Sequence, residues 1–171
     1  MTVPLRRAYY SRLARLESDV IELGLAVGQA MRMAVAALDR GDLVDAARVN
    51  ADDRVINARR WDIERQVQWL IATQQPTASD LRRLVAALQV ATDLERIGDY
   101  AAGIARNCLA IGRAPRVDCV RTIRLLAEGA VAMLDGAIVA LEQHDADAAQ
   151  RVALEDDRVD AMYRREQPHA G

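Results

Sequence analysis

The chain has 171 residues, a formal net charge of −2, 51% hydrophobic residues, 4% aromatics and no phenylalanine. That length supports one substantial core, or two small units that share one. A near-neutral charge gives no bulk cationic field for nucleic acid, no run of about 18 apolar residues marks a transmembrane helix, and MTVPLRRAYYSRL is too poor in apolar residues for a signal peptide.

The abundance of Ala, Leu and Val with few aromatics predicts an all-α fold of closely packed helices. From Pro4 to Leu38, Leu13, Leu16, Val20, Leu23, Val27, Ala30, Ala34 and Ala37 recur at spacings of three and four, the seam of a long amphipathic helix. Gly41 then stops that helix and Asp42 caps the next. The second helix runs from Asp42 to Thr73, with Val49, Ile56, Ile63 and Leu70 in a strict heptad. Trp61 and Trp69 lie off this seam, where core or interhelix packing is their expected role.

Residues 73–104 open the third helix. Pro76 breaks the chain, and Ser79 and Asp80 are placed to accept from the free N–H groups of the new helix. Leu81, Leu84, Val85 and Leu88 share one face, and at about 100° per residue Glu95 and Asp99 continue it. Val90, Leu94, Ile97, Ala101 and Ile104 carry packing on the other side. Ala91, Thr92, Gly98, Ala102 and Gly103 surround the two acids with small side chains, leaving room for a metal, a basic partner or water. The helix ends near Ile111, before Gly112 and Pro115.

A fourth helix spans Val117 to Gln143 on a seam of Val120, Ile123, Ala127, Ala130, Leu134, Ala137 and Leu141. His144 and Asp145 repeat the role of Gly41 and Asp42, and a fifth helix runs from Asp145 to Glu166. ALDRGDLVDAARVNADDRVIN at 37–57 aligns with ALEQHDADAAQRVALEDDRVD at 140–160, about 103 residues later, which indicates two copies of one unit. In this register Asp53 falls on Asp156 and Asn57 on Asp160. The expected organisation is a three-helix unit over 1–112, an incomplete two-helix unit over 116–166 and a tail at 167–171. The two-helix unit should expose an apolar groove unless another chain covers it.

The string QQPTASDLRRLVAAL followed by ATDLERIGDYAAGIA resembles the PhoU family of cytoplasmic regulators of bacterial phosphate uptake. Gln75-Pro76, Asp80-Leu81-Arg82 and Glu95-Arg96-Ile97-Gly98-Asp99 match in order and spacing. The resemblance implies two three-helix repeats, of which this chain lacks the last helix. It also implies a negative regulator of the phosphate-starvation response that binds the ATPase of a phosphate ABC transporter and a sensor histidine kinase, and that forms a homodimer. Family members carry acidic motifs that can bind metal clusters. Carried over, these offer Glu95 and Asp99 with Asp53 and Asn57 in the first repeat, and Asp156 and Asp160 in the second.

Oxygen-only donors suit magnesium, manganese or iron better than structural zinc, although iron and zinc both occur in the family. The alternative is pairing of Glu95 and Asp99 with Arg106 or Arg60. Catalysis has little support. His144 lies in a turn, His169 in the tail, and no P-loop, dinucleotide turn or nucleophile motif is present. Cys108 and Cys119 form no framework and read as reduced thiols, Cys108 as a small core residue. The leading expectation is a cytoplasmic, non-enzymatic regulator without nucleic-acid binding or membrane insertion. Its alternatives are a metal-binding helical protein that uses the paired carboxylates, or a degenerate interaction bundle.

Overall fold

The computed structural model describes residues 3–112 and 119–166, and all its elements are helices: α1 (Val3–Arg40), α2 (Leu43–Gln74), α3 (Ala78–Ile111), α4 (Cys119–Gln143) and α5 (Ala146–Glu166). Pro115, the tail and His169 lie outside the described residues. So do the side chains of Cys119 and Val120.

Two turns share one hydrogen-bond pattern. Gly41, at φ 65°, ends α1; its N–H donates to the Leu38 carbonyl at 3.4 Å, and the Asp42 N–H donates to Ala37 at 2.9 Å. His144, at φ 52°, repeats this with bonds to Leu141 at 3.2 Å and from Asp145 to Ala140 at 2.9 Å. Both are left-handed helix stops, and the aspartate that follows each caps the next helix. Asp42 accepts from Val44 and Asp45, and Asp145 from Ala148.

The α2–α3 connection differs from the expected one. The N-cap of α3 is Thr77, whose hydroxyl accepts from the Asp80 N–H and donates to the Asp80 carboxylate at 3.1 Å. Ser79 and Asp80 are therefore already inside the helix. Asp80, buried to 7% exposure, holds the Thr77 hydroxyl from within the first turn of the helix.

Helices α1, α2 and α3 pack on one another, α4 packs along α1, and among the described residues α5 packs on α4 alone. Val49, Ile56, Ile63 and Leu70 are all buried, as the heptad predicts, and so is the α1 seam except for the partly buried Ala30. One end of the core is rich in large side chains, among them Leu13, Leu16, Leu23, Ile63, Leu70 and Leu84. The other end is built on Ala34, Ala37, Ala46, Ala101, Ala105 and Cys108.

α1 contains a stretch of mean hydropathy 1.4 that is long and apolar enough to cross a bilayer by length and composition alone, as the central helix of a bundle also can be. Half of it is buried inside this bundle, because α1 is central and faces α2, α3 and α4 at once.

Other side chains depart from their expected places. On α3 the buried stripe is Leu84, Ala91, Leu94, Gly98, Ala101, Ala105 and Cys108, whereas Leu81 and Val85 are exposed on its flank. Trp61 and Trp69 are about half exposed, each beneath an arginine: Arg60 lies 4.5 Å from the Trp61 ring centre and Arg12 4.0 Å from that of Trp69. On α4, Val131 and Ile138 are buried against the three-helix unit, while Ala130 and Ala137 of the expected seam are exposed.

Candidate functional site

The six candidate ligands fall into two sets that the fold keeps apart. Asp53 and Asn57 on α2 and Glu95 and Asp99 on α3 flank one interhelix seam. Asp156 and Asp160 are exposed on α5, which among the described residues touches only α4.

The first set exists because α2 and α3 approach closely. Gly98, between Glu95 and Asp99, faces Ile56, and a Cβ there would lie 3.0 Å from the isoleucine Cγ2. Ala91, Gly98 and Ala102 are buried, so these small residues are spent on helix approach rather than on space beside the acids. Ile56 lies three residues beyond Asp53, so the same contact draws Asp53 into the seam.

Asp53 is the least comfortable carboxylate described. One oxygen, Oδ2, accepts from Asn57 Nδ2 at 3.0 Å; the other, Oδ1, is buried without a partner. Burial pushes its pKa up, the charge of Asp99 adds to that, and Arg106 and the Asn57 hydrogen bond oppose it. Asn57 thus serves as a donor to Asp53, a role an aspartate at that position could not fill.

The expected arginine partners are occupied elsewhere. Arg60 bridges to Glu64 at 2.6 Å, and Arg106 donates to Asn50 at 3.4 Å, reaching Asp53 through its charge. Glu95 is partly buried and Asp99 exposed. Among the described residues, no three His, Cys, Asp or Glu side chains are grouped to hold a metal ion. What the seam offers a cation is the unpartnered Asp53 Oδ1, the Asp99 carboxylate, the Asn57 amide oxygen and Glu95 one turn away. All are hard oxygen donors.

A second polar group, not anticipated from the sequence, lies at the other end of the bundle. Arg83 donates to Glu17 at 2.6 Å and stands 4.0 Å from Asp80. The Tyr9 hydroxyl is buried beside Asp80, and burial followed by the Asp80 charge raises its pKa. The Thr77-x-x-Asp80 spacing was the available signal for the cap. Nothing in the spacing links Tyr9 to Asp80, which are brought together only by the α1–α3 packing. Cys108 is a core residue as expected, its thiol donating to the Ala37 carbonyl at 3.5 Å and its pKa pushed up by burial.

The PhoU domain profile matches residues 20–108 and 123–167. A phosphate-specific transport system accessory protein PhoU homolog from Synechocystis is 35% identical over 162 residues, covering 95% of this chain and 72% of that protein. Another from Xylella fastidiosa is 32% identical, covering 92% of this chain and 66% of its own length. The crystal structure of the phosphate transport system regulatory protein PhoU from Streptococcus pneumoniae matches with a TM-score of 0.82 at 29% identity, over 91% of this chain and 73% of that one. PhoU from Pseudomonas aeruginosa matches with a TM-score of 0.85 at 31% identity, over 91% and 75%. The motif spacing, the helical repeat and these matches agree: the chain belongs to the PhoU domain family.

Proposed function

We propose that the chain is a cytoplasmic, non-enzymatic negative regulator of phosphate uptake and phosphate-starvation signalling. In this reading it works as a homodimer that binds the ATPase of a phosphate ABC transporter and a sensor histidine kinase. The observation that carries the reading is the likeness of its five-helix arrangement to a solved phosphate transport regulatory protein over 91% of the chain. The accessory role printed for its relatives agrees with it. The half-exposed Trp61 and Trp69, each packed by an arginine, are the kind of side chains that anchor protein contacts. A deletion strain grown in ample phosphate tests the proposal. Phosphate-responsive genes should be derepressed and restored by the intact gene; normal repression, with no paralogue present, contradicts the role.

The unpartnered Asp53 oxygen favours a second reading, in which the α2–α3 seam holds a divalent or iron-type cation. Asp53, Asp99 and Glu95 would supply carboxylates and Asn57 an amide oxygen, and the cation would relieve the repulsion between Asp53 and Asp99. Elemental analysis and melting with added Mn²⁺, Mg²⁺, Fe²⁺ or Zn²⁺ test it. Bound metal and a raised Tm that are both lost in Glu95→Ala/Asp99→Ala support the site. A metal-free protein with unchanged Tm removes it.

A further inference from the structure

The groove between α1 and α2 carries arginines that the fold leaves without partners. Arg12, Arg15, Asp19 and Glu22 recur along α1 at spacings of three and four, so they share one side of that helix. Trp69, Gln66, Asp62 and Arg59 run the opposite way along α2 beside them. The two rows touch at two points. Arg12 lies 4.0 Å from the centre of the Trp69 ring, and Gln66 Nε2 donates to Asp19 Oδ2 at 2.7 Å. Ile63 and Leu70, both buried, floor the cleft, whose volume is about 650 Å³.

Both walls belong to the three-helix unit, and the cleft faces away from the second half of the chain. Asp19 precedes Gly28 by about two and a half helical turns, which puts it on the far side of α1 from the place where Gly28 meets Leu134 and Asp135 of α4. The charges of the cleft are unevenly used. Asp62 pairs with Arg65, and Asp19 accepts from Gln66. Among the described residues, Arg15 and Arg59 have no ion-pair or hydrogen-bond partner, and Arg12 has only the Trp69 ring. On a solvated helix face arginines pair with neighbouring acids, as Arg48 does with Asp52 and Arg60 with Glu64 on this same helix. Here three guanidiniums line one cleft beside a tryptophan that is 41% exposed.

We propose that this cleft binds a nucleoside phosphate. The base stacks on the Trp69–Arg12 pair, because every base has a π face that aromatic rings and guanidinium planes accept. Sugar hydroxyls donate to the free oxygen of Asp19, as they do to the carboxylate of dinucleotide sites. Arg59 lies beyond Asp19 from Trp69, and it and Arg15 supply the charge that holds the phosphate oxygens. The size agrees. The volume is that of a small-ligand site, and Arg12 to Glu22 spans about 15 Å along α1, the reach of a base, a sugar and a short phosphate chain. A bare phosphate would engage the arginines but leave Trp69 unused and meet the charges of Asp19 and Glu22. The proposal stands apart from the regulatory reading and from the cation reading of the α2–α3 seam.

Isothermal titration calorimetry of the full chain tests it, with ATP, GTP, CTP, UTP, adenosine and inorganic phosphate as probes. The nucleoside triphosphates should bind at one site, and adenosine and phosphate about tenfold or more weakly. Arg15→Gln/Arg59→Gln and Trp69→Leu should each weaken the binding about tenfold or more. Arg54→Gln, on another exposed side of α2, should leave it unchanged. All four positions are exposed, and circular dichroism should show the same helicity in every variant. Phosphate that binds as tightly as the triphosphates overturns the nucleotide assignment. Binding undiminished in Arg15→Gln/Arg59→Gln overturns the cleft. If none of the four triphosphates binds, by calorimetry and by equilibrium dialysis, the proposal falls, Trp69 is left to a protein contact, and the regulatory reading is untouched.

Discussion

The same helix–turn–helix unit occurs twice in this molecule, closed once and open once. α1 and α2 meet at a left-handed glycine stop, and α3 lies against both. α4 and α5 meet at a left-handed histidine stop, and among the described residues α5 packs only on α4. The lesson lies in the small residues. Ala34 and Ala46 are core side chains because α3 is there, while Ala137 and Ala149 have the same chemistry and are solvent-exposed. The acids follow the same logic. Asp53 is strained by burial beside Asp99, whereas Asp156 is exposed on a helix with no α3 to confine it. Burial here is a property of the third helix rather than of the repeat sequence.

Equivalent substitutions in the two halves should therefore have unequal effects. The largest contrast is Ala34→Arg against Ala137→Arg. The first forces a charge into a sealed three-helix core and should cost more than about 4 kcal/mol; the second, at low protein concentration, should change stability by less than about 0.5 kcal/mol. Urea unfolding measures both. Next comes Gly98→Leu, which drives a side chain into Ile56 between helices held on both sides and should cost about 2 kcal/mol. Gly129→Leu should cost about half that or less, because among the described residues α5 is held by α4 alone and can move away. Equal losses at the two glycines would mean that α5 is as firmly held as α2.

The acid contrast is smaller and depends on pH. The folded state raises the Asp53 pKa, so its charged form is a liability that is complete above the folded pKa and disappears as pH falls through it. Asp53→Asn should thus add about 1 kcal/mol at pH 7, a gain that shrinks on acidification, while Asp156→Asn should be neutral. A loss of stability in Asp53→Asn, seen only with metal present, would instead favour the cation reading. The smallest effects are expected at the turns. His144→Gly relieves a left-handed side chain and should gain about 0.5–1 kcal/mol; Gly41→Ala should lose about as much.

Most of this fold was legible in the sequence because periodicity speaks directly to helices. The Val49–Leu70 heptad, the α1 seam and the paired Gly41-Asp42 and His144-Asp145 turns all lie where their spacing puts them. Tertiary choices were less legible. Of the expected α4 seam, Ala127, Leu134 and Leu141 pack on the core but Ala130 and Ala137 are exposed, and spacing cannot say that α1 meets α4 along Val131 and Ile138. The geometry of the candidate seam was half legible. The four residues of the α2–α3 seam could be found from their motif, but the discomfort of Asp53 could not, since it depends on how near Gly98 lets Ile56 approach. Thr77 was overlooked as the cap because Asp80, an equally good capping residue, stood three positions on.

The most direct test of the closed and open halves is amide hydrogen exchange of the whole chain, read by mass spectrometry at two protein concentrations. Amides of α1–α3 should exchange slowly at both. Those of α5 should exchange faster than those of α1–α3, because among the described residues α5 packs on α4 alone, while α4 is held along α1 through Val131 and Ile138. Protection of α5 equal to that of α1–α3 at both concentrations would contradict the account, because α5 would then be held as firmly as the three-helix core.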